Sequence, residues 1–337
     1  MTYQEVLESA RGQMGPCKAC PVCDGRACRN TIPGPGAKGT GDTAIRNYGA
    51  WQNIRVNMDT LCAGGEPDTG CTLLGRRFRL PVFAGPVGAV QLHYGSKYDD
   101  LAYNDLLIPA CREAGILAFT GDGTNPAVMT AACKAIGAAE GFGVPTVKPW
   151  DAATIAGKMQ MVRDSGAFAA AMDIDAAGLP FLKNLTPPAG SKTVEELRGI
   201  IAAAGVPFLV KGVMTARGAE KALEAGAAGV IVSNHGGRVL DGTPSTAEVL
   251  PEIVQAVHGR ALVLVDGGLR SGLDVFRALA LGADAVLIAR PFVTAVYGGG
   301  AEGVKAYVDK LQAELADTMA MCGAHTIREI TRDMVRV

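Results

Sequence analysis

Residues 228–238 read Ala-Gly-Val-Ile-Val-Ser-Asn-His-Gly-Gly-Arg, an unbroken apolar run that ends in a base and a cation. Small and β-branched residues in such a run predict a strand covered on both faces, and α/β enzymes place their chemistry at the C-terminal ends of such strands. His235 accepts a proton near neutral pH, and Arg238 offers a forked donor that suits a carboxylate. Together they suit the deprotonation of a hydroxy acid. The competing reading is a polar loop whose histidine only caps a helix.

The flanking sequence repeats the pattern. Residues 261–265 form a second apolar run ending in Asp266-Gly267-Gly268-Leu269-Arg270, and residues 284–289 a third ending in Arg290-Pro291, with a helical stretch over 273–281 between them. Two successive strand ends with Gly or Ala plus Arg are how a barrel holds a phosphate after its seventh and eighth strands. Upstream, residues 206–210 end in Lys211-Gly212 and lead into a helical stretch over 215–225. Four earlier apolar runs, at 81–85, 117–121, 145–148 and 168–173, alternate with helical patterns such as 104–114 and 152–164. Eight βα units predict an α/β fold, a (β/α)8 TIM barrel over residues 80–337, closed by an amphipathic helix over 303–321. Residues 1–79 are expected to form an extension with a lead-in helix and strand over 45–58.

Composition narrows the function. The 337 residues carry 32 basic and 33 acidic side chains, a net charge of −1 that gives no field for nucleic acid. Apolar runs are broken well short of the ~18 residues of a membrane span, and the first turn-forming stretch carries Glu5, Glu8 and Arg11 where a signal sequence would be apolar. A cytoplasmic, homo-oligomeric enzyme is expected.

The motifs Val210-Lys211-Gly212-Val213-Met214-Thr215-Ala216, SNHGGRVLDGTPST at 233–246, VDGGLRSGLDVFRALALGAD at 265–284 and IARP at 288–291 occur in one order. In this the chain resembles the FMN-dependent α-hydroxy acid oxidases and dehydrogenases, which include glycolate and lactate oxidase. The resemblance is continuous over 207–332 and traceable over 80–175. It implies that His235 removes the substrate proton, Asp175 orients His235, Arg238 grips the substrate carboxylate and Lys211 stands beside the flavin N1 and O2 edge. It further implies that Gly88, Thr120, Lys148, Ser233, Gly267 and Ala289 line the flavin, Asp266 meets a ribityl hydroxyl, and Gly268, Arg270 and Arg290 hold the phosphate. The implied cofactor is FMN, the substrate a small 2-hydroxy acid, and the electron acceptor oxygen or another carrier.

The sequence departs from the family at several substrate positions. Val239 and Lys148 stand where Gln is usual, and Trp150 replaces a substrate-contacting Tyr. The second carboxylate-binding Arg is missing from the short loop 176–192, whose cations are Lys183 and Lys192. The connector Ile32-Pro33-Gly34-Pro35-Gly36 lacks the family's Tyr, and Gly88 is expected to leave more room near the flavin than the usual Ala. Two other readings remain open: a type 2 isopentenyl diphosphate isomerase-like flavoenzyme, and a flavin or metal redox sensor or electron-transfer subunit.

A second signal is Cys17-Lys18-Ala19-Cys20-Pro21-Val22-Cys23-Asp24-Gly25-Arg26-Ala27-Cys28. Four thiols at this spacing suit an iron-sulfur cluster or a structural zinc, with metal-free thiols as the third reading. The cluster is expected to matter for the extension and not for FMN binding. Cys62, Cys71, Cys111, Cys133 and Cys322 are scattered and read as core.

Overall fold

Eight parallel strands follow the eight apolar runs: β1 Val82–Ala84, β2 Phe119–Thr120, β3 Val144–Val147, β4 Ala170–Asp173, β5 Phe208–Val213, β6 Gly229–Val232, β7 Leu262–Val265 and β8 Ala285–Ile288. The computed structural model describes residues 1–179, 182, 184, 186 and 190–337; Lys183 lies outside them. The strands pair in the order β1-β8-β7-β6-β5-β4-β3-β2. A parallel bridge between Ala84 and Ala118 joins the two ends and closes the barrel. Strands β1, β3, β4 and β6 are buried at every position, which is why their sequences are continuous rather than alternating. The register shifts between Lys211 and Val213 where β5 pairs with β6. Such a bulge re-aims side chains, and here it sits at the lysine that enters the site.

The last helix is longer than its amphipathic stretch suggests. It runs Arg290–Met321, with a break at Gly300 (φ 57°). Its glycine-rich middle hides the helix from a propensity reading, but a side chain at Gly298 would strike the carbonyl of Val6. Small residues there let the N-terminal helix Tyr3–Ala10 lie close against it, and Tyr3 stacks on Tyr307 with ring centroids 4.4 Å apart.

After Ala10 the chain has no helix or strand until Asp42. The helix Asp42–Asn53 is then fixed to the loop after β6, because Asp241 accepts from the Thr40 hydroxyl and from the backbone N–H groups of Gly41 and Thr43. Residues Arg55–Val56 pair antiparallel with Val335–Arg336, so the lead-in strand meets the C-terminal segment outside the barrel. Among the described residues no helix is long and apolar enough to cross a membrane.

Candidate active site

The chain turns sharply at the end of β6. His235, Gly236 and Gly237 all take left-handed backbone angles (φ 55°, 62° and 77°), and the His235 N–H donates to Ser233 Oγ at 3.1 Å. A non-glycine residue held at positive φ is strained, and such strain gathers at functional sites. The turn presents the imidazole to Asp175, carried by the short 3-10 turn Ile174–Gly178 after β4. His235 Nδ1 lies 3.1 Å from Asp175 Oδ1. Because a carboxylate accepts, Nδ1 carries the proton and Nε2 is left as the basic nitrogen.

Beneath this pair, β4, β5 and β7 contribute a buried charge network. Lys211 Nζ is 2.9 Å from Asp173 Oδ1 and 3.6 Å from Asp266 Oδ2, and Lys148 Nζ is 3.8 Å from Asp173 Oδ2. Burial alone would neutralise these groups, but Lys211, His235 and Lys148 hold the Asp173 carboxyl far below the usual range, and Asp173 and Asp266 hold Lys211 above its own. Asp266 is pushed up by burial against the pull of Lys211.

His235, Lys211, Lys148, Arg238, Asp266, Gly88, Gly267, Gly268, Arg270, Ala289 and Arg290 line one cavity of about 420 Å3 at the C-terminal ends of the strands. Eleven predicted site residues from six strand ends thus share one wall. Ser233 and Thr120 are fully buried beside it, and Asp175 reaches it through His235.

The sequence pattern of the FMN-dependent dehydrogenases matches residues 34–181 and 141–337. The chain belongs to the FMN-dependent dehydrogenase family. Among curated relatives, a peroxisomal (S)-2-hydroxyacid oxidase of Arabidopsis thaliana is 54% identical over 145 residues, covering 43% of this chain and 39% of the relative. An L-lactate oxidase of Roseobacter sp. (strain GAI101) is 46% identical over 143 residues, 42% of this chain and 39% of that one. These alignments span about two fifths of the relatives' own length. A solved mandelate oxidase variant with 4-Br-2-hydroxy-methylphenylacetate superposes with a TM-score of 0.75 at 30% identity, over 88% of this chain and 92% of that one. Another, carrying an FMN monooxide adduct, gives 0.73 at 30% identity, over 89% and 93%.

The family cofactor can be tested against this cavity's own atoms. Arg290 Nη1, Asp266 Oδ1 and Thr120 Oγ1 are buried without a hydrogen-bond partner among the described residues. Buried polar atoms are ordinarily satisfied, so a guanidinium nitrogen and a carboxylate oxygen left without partners on two residues that line the cavity fit a polar, phosphate-bearing ligand. FMN fits this donor set.

Two sequence expectations change. A β-carbon at Gly88 would lie 2.8 Å from the Asp122 carbonyl oxygen, so this glycine permits close backbone packing and leaves no spare room. Trp150 does not line the cavity: it is buried, and its Nε1 donates to Asp122 Oδ2 at 2.6 Å. Asp122 is itself a residue that the sequence reading missed. Its Oδ1 pairs with Lys158 Nζ at 2.7 Å and its Oδ2 also accepts from the Lys148 N–H, so it anchors the loop that delivers Lys148. Asp173 was hidden by its neighbour Asp175. The signal was available, since two carboxylates at the end of an otherwise apolar strand cannot both be incidental.

His93, on the short helix Val90–Tyr94, is the third such residue. The Gly34 N–H donates to its Nδ1 at 2.9 Å, and its Nε2 lies 3.3 Å from Arg238 Nη2. Burial, then Arg238 and Lys148, push His93 down to about 4, so it is neutral. Arg238 Nη1 meanwhile donates to the carbonyls of Gly34 and Gly36 at 2.7 and 2.8 Å. The glycine-rich connector therefore reaches the site through its backbone, and Pro35 joins the cavity wall.

The cysteine segment lies against the same site. Arg270 Nε donates to the Cys23 carbonyl at 2.9 Å, and Arg270 and Arg290 wall both the barrel cavity and a second one lined by Cys17, Cys20, Cys23 and Cys28.

Proposed function

We propose that this protein oxidises a 2-hydroxy acid to the 2-oxo acid, with FMN held in the 420 Å3 cavity. The observation that carries the reading is the His235–Asp175 pair, 3.1 Å apart, whose histidine lines the same cavity as the buried Lys211 and Arg290. When bound, FMN accepts the two electrons that leave the substrate α-carbon. His235 Nε2 takes the hydroxyl proton, and Asp175, hydrogen-bonded to Nδ1, stabilises the imidazolium that results. Lys211, fixed by Asp173 and Asp266, supplies a cation that cannot wander, and so favours negative charge on the group beside it.

The substrate carboxylate belongs beside Arg238, whose guanidinium lines the cavity. Arg270 and Arg290 bind the cofactor phosphate.

The family match does not favour the isomerase or sensor readings. The test is anaerobic addition of lactate, glycolate or mandelate to FMN-loaded protein. Bleaching of the flavin absorbance with formation of the matching 2-oxo acid is expected. No bleaching by any 2-hydroxy acid in the set refutes the reading, and oxygen uptake on opening to air identifies oxygen as an acceptor.

A further inference from the structure

Nothing in the barrel chemistry uses the four cysteines, yet Cys17, Cys20, Cys23 and Cys28 open onto one cavity of about 610 Å3. Arg270 and Arg290 stand in its wall. None of the four is in a disulfide.

Spacing separates the possible occupants. Among the described residues, the one set of three ligand atoms within 4.8 Å of one another comes from Asp173, Asp175 and His235, so no three of the cysteine sulfurs approach that closely. A tetrahedral zinc, about 2.3 Å from each thiolate, would hold its sulfurs about 3.8 Å apart and fill the space between them. An iron-sulfur cluster places irons and sulfides between the thiolates and requires both a wider spacing and a void. The structure offers the void, and no three of the sulfurs are drawn together as zinc would draw them.

The local backbone gives an independent reason for a centre here. Residues 11–41 contain no helix or strand, although Met14, Ala19 and Ala37 within them are buried. An irregular stretch of that length inside a folded body is uncommon without a function of its own, and a metal centre supplies the folding energy that regular hydrogen bonding does not.

We propose that Cys17, Cys20, Cys23 and Cys28 bind a [4Fe-4S] cluster in this cavity, with Arg270 and Arg290 in the wall it shares with the barrel cavity. Four thiolates around a doubly positive core leave two negative charges, which the two guanidiniums offset in part while they also face the phosphate site.

The experiment uses the whole chain, purified without oxygen and incubated with equal parts ferrous and ferric iron and with sulfide, then desalted. About four iron and four sulfide per chain are expected, together with a paramagnetic signal when dithionite adds one electron to the cluster. Cys20→Ser, Cys23→Ser protein should keep less than about a tenth of that iron, while Cys133→Ser, altered at a buried cysteine far from the motif in sequence, should keep all of it. One zinc per chain without sulfide, an absence of retained iron, or equal iron in the double variant overturns the proposal. If the double variant does not fold, the iron, sulfide and paramagnetic signal of the unaltered protein decide alone.

Discussion

Replacing Asp175 by Asn keeps the shape of the site and removes one charge. Asn is isosteric, and Asp175 Oδ2, which becomes the amide nitrogen, has no hydrogen-bond partner among the described residues to lose. The remaining amide oxygen still accepts from His235 Nδ1. What disappears is the attraction between a carboxylate and the imidazolium formed as the substrate proton arrives. At 3.1 Å and an effective dielectric constant of ~20, that attraction is about 5 kcal/mol. Both groups are mostly buried, with side chains 16% and 13% exposed, so little of it is screened. Converted to a rate, it is a slowing of roughly 10,000-fold. The assay is stopped-flow flavin bleaching by a saturating hydroxy acid without oxygen, with FMN affinity measured in parallel. Affinity should change less than about threefold, since Asp175 is not on the cofactor's wall. A reduction rate within tenfold of the unaltered protein would show that Asp175 does not support the base.

Three further outcomes are expected. Arg290→Ala should weaken FMN binding by ~1.5 to 3 kcal/mol, read by titration of the apoprotein; full retention at limiting FMN would remove Arg290 from the phosphate site. Asp173→Asn leaves Lys211 without its closest counter-charge and should cost ~3 to 5 kcal/mol in urea unfolding. That loss should be constant between about pH 5 and 9, because a depressed carboxyl contributes fully above its unfolded range and a raised lysine fully below its own. His93, pushed down to about 4, binds its proton in the unfolded chain but not in the native one between about pH 6.5 and 4. Stability is therefore lost as pH falls through that window, by up to about 3 kcal/mol, and His93→Gln should flatten the decline in unfolding measured at pH 7 and 4.5.

The barrel is legible in the sequence because nearly every strand position is buried on both faces, so the runs are largely apolar and most of their ends are marked by a charged or polar residue. The same contrast displays His235, Lys211, Asp266 and Arg290, each of which follows or ends such a run. Partners that reach the site from elsewhere carry no such marker. Lys158 projects from the middle of a helix to meet Asp122, and His93 sits on five residues of helix whose pattern says nothing of what it faces. The extension is the least legible part. Its backbone follows no period, and its grip on Arg238 is made by carbonyls that every residue possesses.

That last contact constrains how the substrate preference of this protein can drift. Side chains cannot be added at Gly34 or Gly36 without striking the carbonyls of Thr31 and Cys28, so neither position can vary freely. Between them, Pro35 alone among the three turns a side chain to the cavity wall while its neighbours' carbonyls hold the arginine. Evolution can thus reshape the pocket at position 35 by single substitutions and leave the anchoring of Arg238 untouched, because the anchoring carbonyls belong to the two fixed glycines on either side.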